Sequence, residues 1–213
     1  TFAGPENYQY LLQDEYFLQA FSNTFKLMLG VPLVTLALAL VMAVIITQSR
    51  LKEKKFYRVV MFLPSILSTT VIGMLWTFIY NPNMGLLNNL LEKLGLGFWA
   101  HAWLGDPKVA LLAVAIVLVW TNAGYYMVMY MASMAAVPLD IYESASIDGA
   151  GRTRQFFQIT IPLIWTNIRT TLTFFIISTI NMAFLFVKAM TSGGPNGASD
   201  VALSYMYSQK DAG

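Results

Sequence analysis

The stretch ESASIDGAGRTRQFFQITIP, residues 143–162, decides the reading of this chain. It is a polar helix-turn-helix pattern set between two strongly apolar runs, 109–134 and 163–187. Each run is long enough to cross a bilayer, which needs about 20 apolar residues. A polar insert between two crossings must face one aqueous side, and a membrane protein has reason to carry one where something docks.

Composition agrees. The 213 residues are 57% hydrophobic and only 11% charged, with a mean hydropathy of +0.58, which sets aside a soluble globular class. The formal charge of +2 is small and the cations are dispersed. That excludes a nucleic-acid binder, which concentrates basic side chains on one face. With no Cys and one histidine, His101, the chain has no thiolate site, no disulfide framework and no multi-histidine metal site of its own. It opens at Thr1 without an initiator Met, and 207–213 carries no helix stop. The expectation is a chain trimmed at both ends.

Working outward from the insert, four spans are expected. The first covers 27–47, free of charge, with Pro32 near its start, where a missing donor does least harm. The second covers 59–80, with Pro64 inside it and Trp76 and Tyr80 at its far end. A short amphipathic helix follows over 85–95, stopped by Gly95 and too short to span. The third and fourth spans are the two apolar runs, after which SGGPNGAS reads as a turn-rich loop. Arg50, Lys52, Lys54, Lys55 and Arg58 crowd the first link against a single acid, Glu53. Positive-inside bias places that link in the cytoplasm, and alternation then puts the insert, 135–161, there too. The loop 81–107 and the loop after Lys188 fall outside.

Within the insert, Pro138 suits a first helical turn, and Asp140 and Glu143 follow where negative charge favours a helix start. Asp148-Gly149 reads as a break, with Gly149 able to take positive φ. Ser144, Ala145 and Ser146 are small and allow close approach of another surface. A second short helix over 152–158 is expected to end at Pro162, whose ring sets the start of the next span. On these features alone the insert also reads as a capped, solvated helical loop.

The pattern EAA, three residues, Gly, nine residues, I-x-L-P is met by Glu143, Ala145, Gly149, Ile159 and Pro162, with Ser144 for the first Ala and Ile161 for Leu. In this the chain resembles the membrane subunits of binding-protein-dependent ABC importers. Asn23-Thr24, Phe62-Leu63-Pro64, Gly85-Leu86-Leu87-Asn88, Trp103-Leu104 with Asp106-Pro107, and Thr191-Ser192-Gly193-Gly194-Pro195 resemble the carbohydrate, maltose-type branch. The resemblance implies an all-α, polytopic transmembrane helical bundle of the type I ABC importer permease fold. Four spans are visible of about six expected, in a single permease domain over 1–213. It implies a multi-pass protein of a prokaryotic cytoplasmic membrane, working with a second permease subunit, two cytoplasmic ATPase subunits and an external solute-binding protein. ATP and Mg would sit on the ATPase partners.

The insert would then be the coupling helix, seated in a cleft of an ATPase subunit. Glu143, Ser144, Ala145, Asp148, Gly149 and Arg152 are its expected contact residues. Glu143 anchors the contact by a charge-assisted bond and Gly149 provides the bend. Asp148 and Arg152 either touch the partner or hold the bend.

The chain has no G-x-x-x-x-G-K-[ST] loop to cradle phosphates, so it is not expected to hydrolyse ATP. It also carries no charged side chain in the central parts of the expected spans, which argues against an ion-coupled carrier. Neutral polar groups at membrane depth suit a polyhydroxyl solute: Ser65, Ser68 and Thr69; Thr121, Asn122, Tyr125 and Tyr126; Ser178, Thr179 and Asn181. Such groups also bond across helices or to their own backbone. The resemblance favours Ser65, Thr69, Asn122 and Tyr125 as solute contacts, with Thr121, Thr179 and Asn181 beside them. The rivals are an importer subunit for another solute, such as a glycerol phosphate, and a membrane scaffold or receptor that holds a cytoplasmic partner without moving solute.

Overall fold

The computed structural model describes residues 6–48 and 53–212, and among these every regular element is helical. In chain order they are α1 (Glu6–Gln13), α2 (Glu15–Gln48), α3 (Lys54–Phe62), a 3-10 turn (Leu63–Ile66), α4 (Thr69–Ile79), α5 (Leu86–Lys93) and a second 3-10 turn (Gly97–Trp99). Then come α6 (Ala110–Ala135), α7 (Leu139–Ile147), α8 (Arg152–Gln155), a π turn (Phe156–Thr160), α9 (Ile161–Met190) and α10 (Ala202–Ala212). The expected all-α fold is what the chain adopts. Three helical stretches are long and apolar enough to cross a membrane, Glu15–Thr47, Ala110–Ala135 and Arg152–Met190. A fourth exists if the broken pair Lys54–Ile66 and Thr69–Ile79 is one crossing.

Three expectations need correction. The second span is not one helix: Pro64 falls in the 3-10 turn, and Ser68 before α4 is extended (φ −62°, ψ 139°). Proline supplies no amide donor, and beside it the Ser65 hydroxyl donates to the Phe62 carbonyl at 2.7 Å. Pro32 lies well inside α2, because that helix starts at Glu15 rather than near Leu27. Pro162 stands in the first turn of α9, but the helical path does not break there. The chain is helical from Arg152 to Met190, and the π turn lets the Ile161 amide reach the Phe156 carbonyl five residues back. A wider turn of this kind accommodates a proline without ending a helix. Two consequences follow for charge. Lys26 is an exposed residue within α2, and Arg169 is an exposed residue well inside the long Arg152–Met190 helix. The expected spans are therefore less free of cations than the apolar runs suggested. In the basic link, Arg50 and Lys52 lie outside the described residues.

The chain forms two compact units. The first comprises Thr1–Val31, Leu67–Val119 and Ile177–Gly213. In it Asp14 caps α2, accepting from the Tyr16 amide at 2.9 Å, and also accepts from the Tyr205 hydroxyl of α10. Asn23 Nδ2 donates to the carbonyls of Ala198 at 2.9 Å and Asp200 at 3.0 Å, while Thr24 Oγ1 accepts from the Ala202 amide at 2.8 Å. The loop 191–200 is tied internally as well, Ser199 Oγ donating to Thr191 Oγ1 at 2.7 Å. Gly193 has φ +87°, and a Cβ there would stand 2.9 Å from the Asp200 carboxyl carbon. Both features demand glycine. Asn88 of α5 organises the other loop, donating to the His101 carbonyl at 3.0 Å and accepting from Trp103 Nε1 at 2.7 Å. The His101 ring packs edge-on against Trp103.

The second unit comprises Pro32–Ile66 and Trp120–Ile176. Here α6 and α9 are cross-linked by polar bonds, Tyr130 Oη with Thr171 Oγ1 at 2.9 Å and Asn167 Nδ2 to Ser133 Oγ at 2.9 Å. Such bonds hold helices together where lipid removes the hydrophobic incentive to associate. The tightest approach is at Gly124: a Cβ there would fall 1.7 Å from the Met61 carbonyl oxygen. Backbone meets backbone at that point, which only glycine permits.

Gly124→Ala is therefore expected to destabilise the subunit by at least about 1–3 kcal/mol, read as a lower thermal unfolding midpoint in detergent. Gly30→Ala, where no atom lies within 4 Å, should be neutral or stabilising. Equal midpoints would contradict the close crossing. A second expectation concerns pH. The Tyr205 hydroxyl, with the Phe17 and Tyr16 amides in support and burial opposing, holds the Asp14 carboxyl below its ordinary pKa. The same bond raises the Tyr205 phenol. A depressed carboxylate stabilises above its unfolded pKa of about 4 and loses that contribution as pH falls through its folded value. The midpoint gap between wild type and Asp14→Asn should thus be open near neutrality and close as pH drops below that range.

Candidate functional site

The insert is a closed hairpin within the second unit. Pro138, extended at ψ 136°, caps α7 from outside, a shift of one place from the expected first-turn position. At the other end Asp148 is the C-cap and Gly149 takes φ +76°. The Gly149 amide bonds the Ser146 carbonyl at 3.1 Å and the Ala150 amide bonds the Ala145 carbonyl at 2.9 Å. This paired 5→2 and 6→1 pattern is a Schellman motif, and it fixes the bend that Asp148-Gly149 led one to expect. Gly95 ends α5 in the same way, with the Gly95 amide on Glu92 and the Leu96 amide on Leu91.

The groups that lock the hairpin are not those the signature names. Gln155 Nε2 donates to Ser146 Oγ at 2.9 Å and to the Ala150 carbonyl at 2.9 Å, spanning from α8 back to α7. Ser146 Oγ in turn donates to the Tyr142 carbonyl at 2.7 Å. Tyr142 Oη and the buried Thr160 Oγ1 are 2.9 Å apart, which pins α7 to the π turn. Sequence reasoning missed Gln155, Tyr142 and Thr160. A glutamine among solvated polar residues gives no spacing signal when its partner is a backbone carbonyl freed by a turn.

With its inner side bonded to itself, the hairpin presents its other side to solvent. Glu143, Ser144, Asp148, Gly149 and Arg152 are exposed and Ala145 is half-buried. Among the described residues Glu143 has no ion-pair or hydrogen-bond partner. Beside it stand apolar side chains that the fold leaves uncovered: Ile147 is 87% exposed and Leu139 73% exposed. A carboxylate among bare aliphatic groups on a rigid hairpin is a surface suited to seating in a complementary cleft.

The seven solute-path candidates divide between the two units. Ser65, Thr121, Asn122 and Tyr125 belong to the second. There the Gly124 crossing brings α6 against the 61–62 backbone, and the Tyr125 ring stacks on Phe62 at 6.5 Å. Tyr125 continues edge-on to Tyr126 at 5.3 Å, and Tyr126 to Phe175 at 4.5 Å. Tyr125 keeps 45% of its surface exposed, whereas Thr121 and Asn122 are buried. Ser65 is committed to the Phe62 carbonyl. In the first unit Thr69 opens α4 and is half-buried, Thr179 is buried and Asn181 is exposed.

Comparison with known proteins bears on this arrangement. Residues 15–211 match the family described as binding-protein-dependent transport system inner membrane component. The chain is 39% identical to the diacetylchitobiose uptake system permease protein NgcF of Streptomyces coelicolor, over 93% of its own length and 59% of that protein's. It is 36% identical to the probable ABC transporter permease protein YurN of Bacillus subtilis, over 97% of this chain and 71% of that one. It is 32% identical to the sn-glycerol-3-phosphate transport system permease protein UgpA of Yersinia pestis, over 100% and 70%. In fold it matches a chain of a bacterial ABC transporter for import of the acidic polysaccharide alginate, with a TM-score of 0.87 at 24% identity, over 98% of this chain and 74% of that one. A second structure of a bacterial alginate ABC transporter, in complex with an alginate pentasaccharide-bound periplasmic protein, matches with a TM-score of 0.88. These folds carry the type I permease architecture expected of the sequence.

Gln155→Leu removes two donors from the hairpin, each bond contributing about 0.5–1.5 kcal/mol. Amide hydrogen exchange over 146–151 should accelerate severalfold while exchange in α6 is unchanged. Unaltered exchange at the turn would show that Gln155 does not hold it.

Proposed function

Since the chain belongs to the binding-protein-dependent transport system inner membrane components, we propose that it is the transmembrane permease subunit of an ATP-driven carbohydrate importer. The chain spans 59% of the NgcF length and about 70% of the other relatives, and the activity proposed is that of the whole protein, with 1–213 part of one permease domain. The observation that carries the reading is the hairpin at 139–155, which leaves Glu143 exposed between exposed Leu139 and Ile147. A motor domain that grips those three side chains moves the hairpin as a unit, because Gln155 and the Schellman turn leave it no internal play.

In this reading the hairpin lies in the cytoplasm and seats in one of two ATPase subunits, which bind ATP and Mg. Their closure drives alternating access in this subunit and a second permease subunit. This chain itself hydrolyses nothing. The outer loops 81–107 and 188–213 receive an external solute-binding protein, a partner supported by the periplasmic protein found with the alginate neighbour. The membrane is the cytoplasmic membrane of a prokaryote. Ser65, Thr69, Thr121, Asn122, Tyr125, Thr179 and Asn181 supply neutral polar groups and ring faces for a polyhydroxyl solute. Tyr125, exposed and already stacked on Phe62, is the strongest of them for a sugar ring.

One observation favours a second reading, import of a phosphorylated polyol. Arg169 is an exposed cation well inside the Arg152–Met190 helix, and the chain is similar to UgpA. Uptake into vesicles holding the reconstituted complex tests both. Glu143→Lys is expected to cut ATP-driven entry of a labelled sugar by at least about tenfold, the loss of one charge-assisted bond with repulsion added, with the folded subunit still in the membrane. Normal uptake in that variant would refute the coupling role. Competition by sn-glycerol 3-phosphate but not by neutral oligosaccharides would select the second solute.

A further inference from the structure

A cavity of about 530 Å³ opens beside the hairpin, and every residue lining it belongs to the second unit. Its apolar wall comes from three elements: Val44 of α2, Met134 of α6, and Leu139 and Phe156 of the hairpin and its π turn. Its polar wall groups Tyr142, Gln155 and Thr160 are bonded to one another or to the hairpin backbone. One cation lines it and a second is bonded to its wall. Arg152 lines the cavity, is exposed, and has no ion-pair partner among the described residues. Lys54 Nζ donates to the carbonyl of Thr47, itself a lining residue, at 2.8 Å. Among the described residues no Asp or Glu lines the space.

An apolar cleft with an unpaired guanidinium in its wall, a lysine ammonium bonded to one of its lining residues and no acid among those described selects its occupant by chemistry. Free phosphate would meet the cations and leave the apolar wall wet. A zwitterionic or neutral lipid would cover the wall and bring no net charge to Arg152 and Lys54. An anionic phospholipid does both, and basic pockets between helices on the cytoplasmic side take such headgroups. The lining residues Thr47 and Ala135 mark the ends of the long apolar stretches of α2 and α6, the level at which headgroups lie.

We propose that this cavity is a binding site for an anionic phospholipid, its phosphate held by Arg152 and Lys54 and an acyl chain lying along Val44, Met134, Leu139 and Phe156. The proposal rests on the cytoplasmic placement of the hairpin argued above and adds regulation to it. Arg152 is the first residue of α8, three past Gly149, so a lipid held there fastens the hairpin to the membrane surface. The negative lipid content of the bilayer then sets how firmly the hairpin is braced when the motor pulls on it.

The test uses the importer complex purified through this chain and placed in nanodiscs of phosphatidylcholine, with or without phosphatidylglycerol. Lipid retained after extraction is read by native mass spectrometry. Wild type is expected to retain phosphatidylglycerol in preference to phosphatidylcholine, and Arg152→Gln to retain about fivefold less. Val44→Trp, which fills the cleft, should retain as little. Arg154→Gln, whose side chain is bonded to Gln158 outside the cavity, should match wild type. Thermal midpoints identify a variant that fails to fold, and Arg152→Gln, an exposed substitution, decides the matter if Val44→Trp does. Equal retention of both lipids, or equal phosphatidylglycerol in wild type and Arg152→Gln, overturns the proposal. So does equal stabilisation by inorganic phosphate in pure phosphatidylcholine discs, which would mark a site for the free anion. Loss of the ATPase subunits from Arg152→Gln with lipid unchanged would assign that arginine to the protein partner and overturn it as well. Lipid retention is read without transport, so its failure leaves the importer reading standing, and a failed uptake test leaves the lipid measurement meaningful.

Discussion

A chain that passes through hydrocarbon must satisfy its backbone donors and acceptors from within itself, since no water is present to do so. The breaks in the helices of this protein are closed by local hydrogen bonds. At the break that holds Pro64, the Ser65 hydroxyl donates to the Phe62 carbonyl. Before Pro162, the ladder widens by one residue and Ile161 bonds Phe156. At Gly149 and Gly95, turns with positive φ return two amides each to the last carbonyls of their helices. The irregular places are thus as closed as the helices, and they are where side chains can be aimed.

The hairpin shows what that closure is for. Gln155, Ser146, Tyr142 and Thr160 consume its inward polar groups, so its outward side carries side chains with no structural duty. Ile147 and Leu139 remain largely exposed in this chain. Their position beside Glu143, on a bend that cannot flex cheaply, is intelligible as the complement of another protein's cleft. The aromatic line Phe62, Tyr125, Tyr126 and Phe175 is arranged differently, its rings packed in sequence with Tyr125 left partly bare.

Much of this was legible in the residues. Uninterrupted apolar runs located the helices 27–47, 109–134 and 163–187, because nothing but a helix satisfies so long an apolar segment in lipid. Glycine after an amphipathic run marked the stops at Gly95 and Gly149. Helix ends were less legible. The polar and aromatic residues 15–26 gave no span signal, yet they are helical and carry side chains bonded to partners some 175 positions away in sequence. Pro32 was read as lying near a helix start and falls well inside α2, while Pro162 opens α9 directly behind a π turn. Arg169 lies within the expected span 163–187, whose central part was read as uncharged, and near the middle of the longer helix that the π turn permits. Gln155 escaped notice because its role depends on a carbonyl whose orientation only the finished turn defines.

The clamp of Asn23 and Thr24 on residues 198–202 has a consequence for how the molecule is made. These groups are 175 to 178 residues apart in sequence, and closing so long a loop is slow compared with forming a helix. During synthesis α2 leaves the ribosome long before its partner loop exists. Its buried amide at Asn23 must wait, solvated or borrowed by another acceptor, until α9 has formed and the loop 191–200 has turned. Of these two partners the one translated earlier cannot complete its contacts until the later one arrives, so the docking of α2 is timed by that loop.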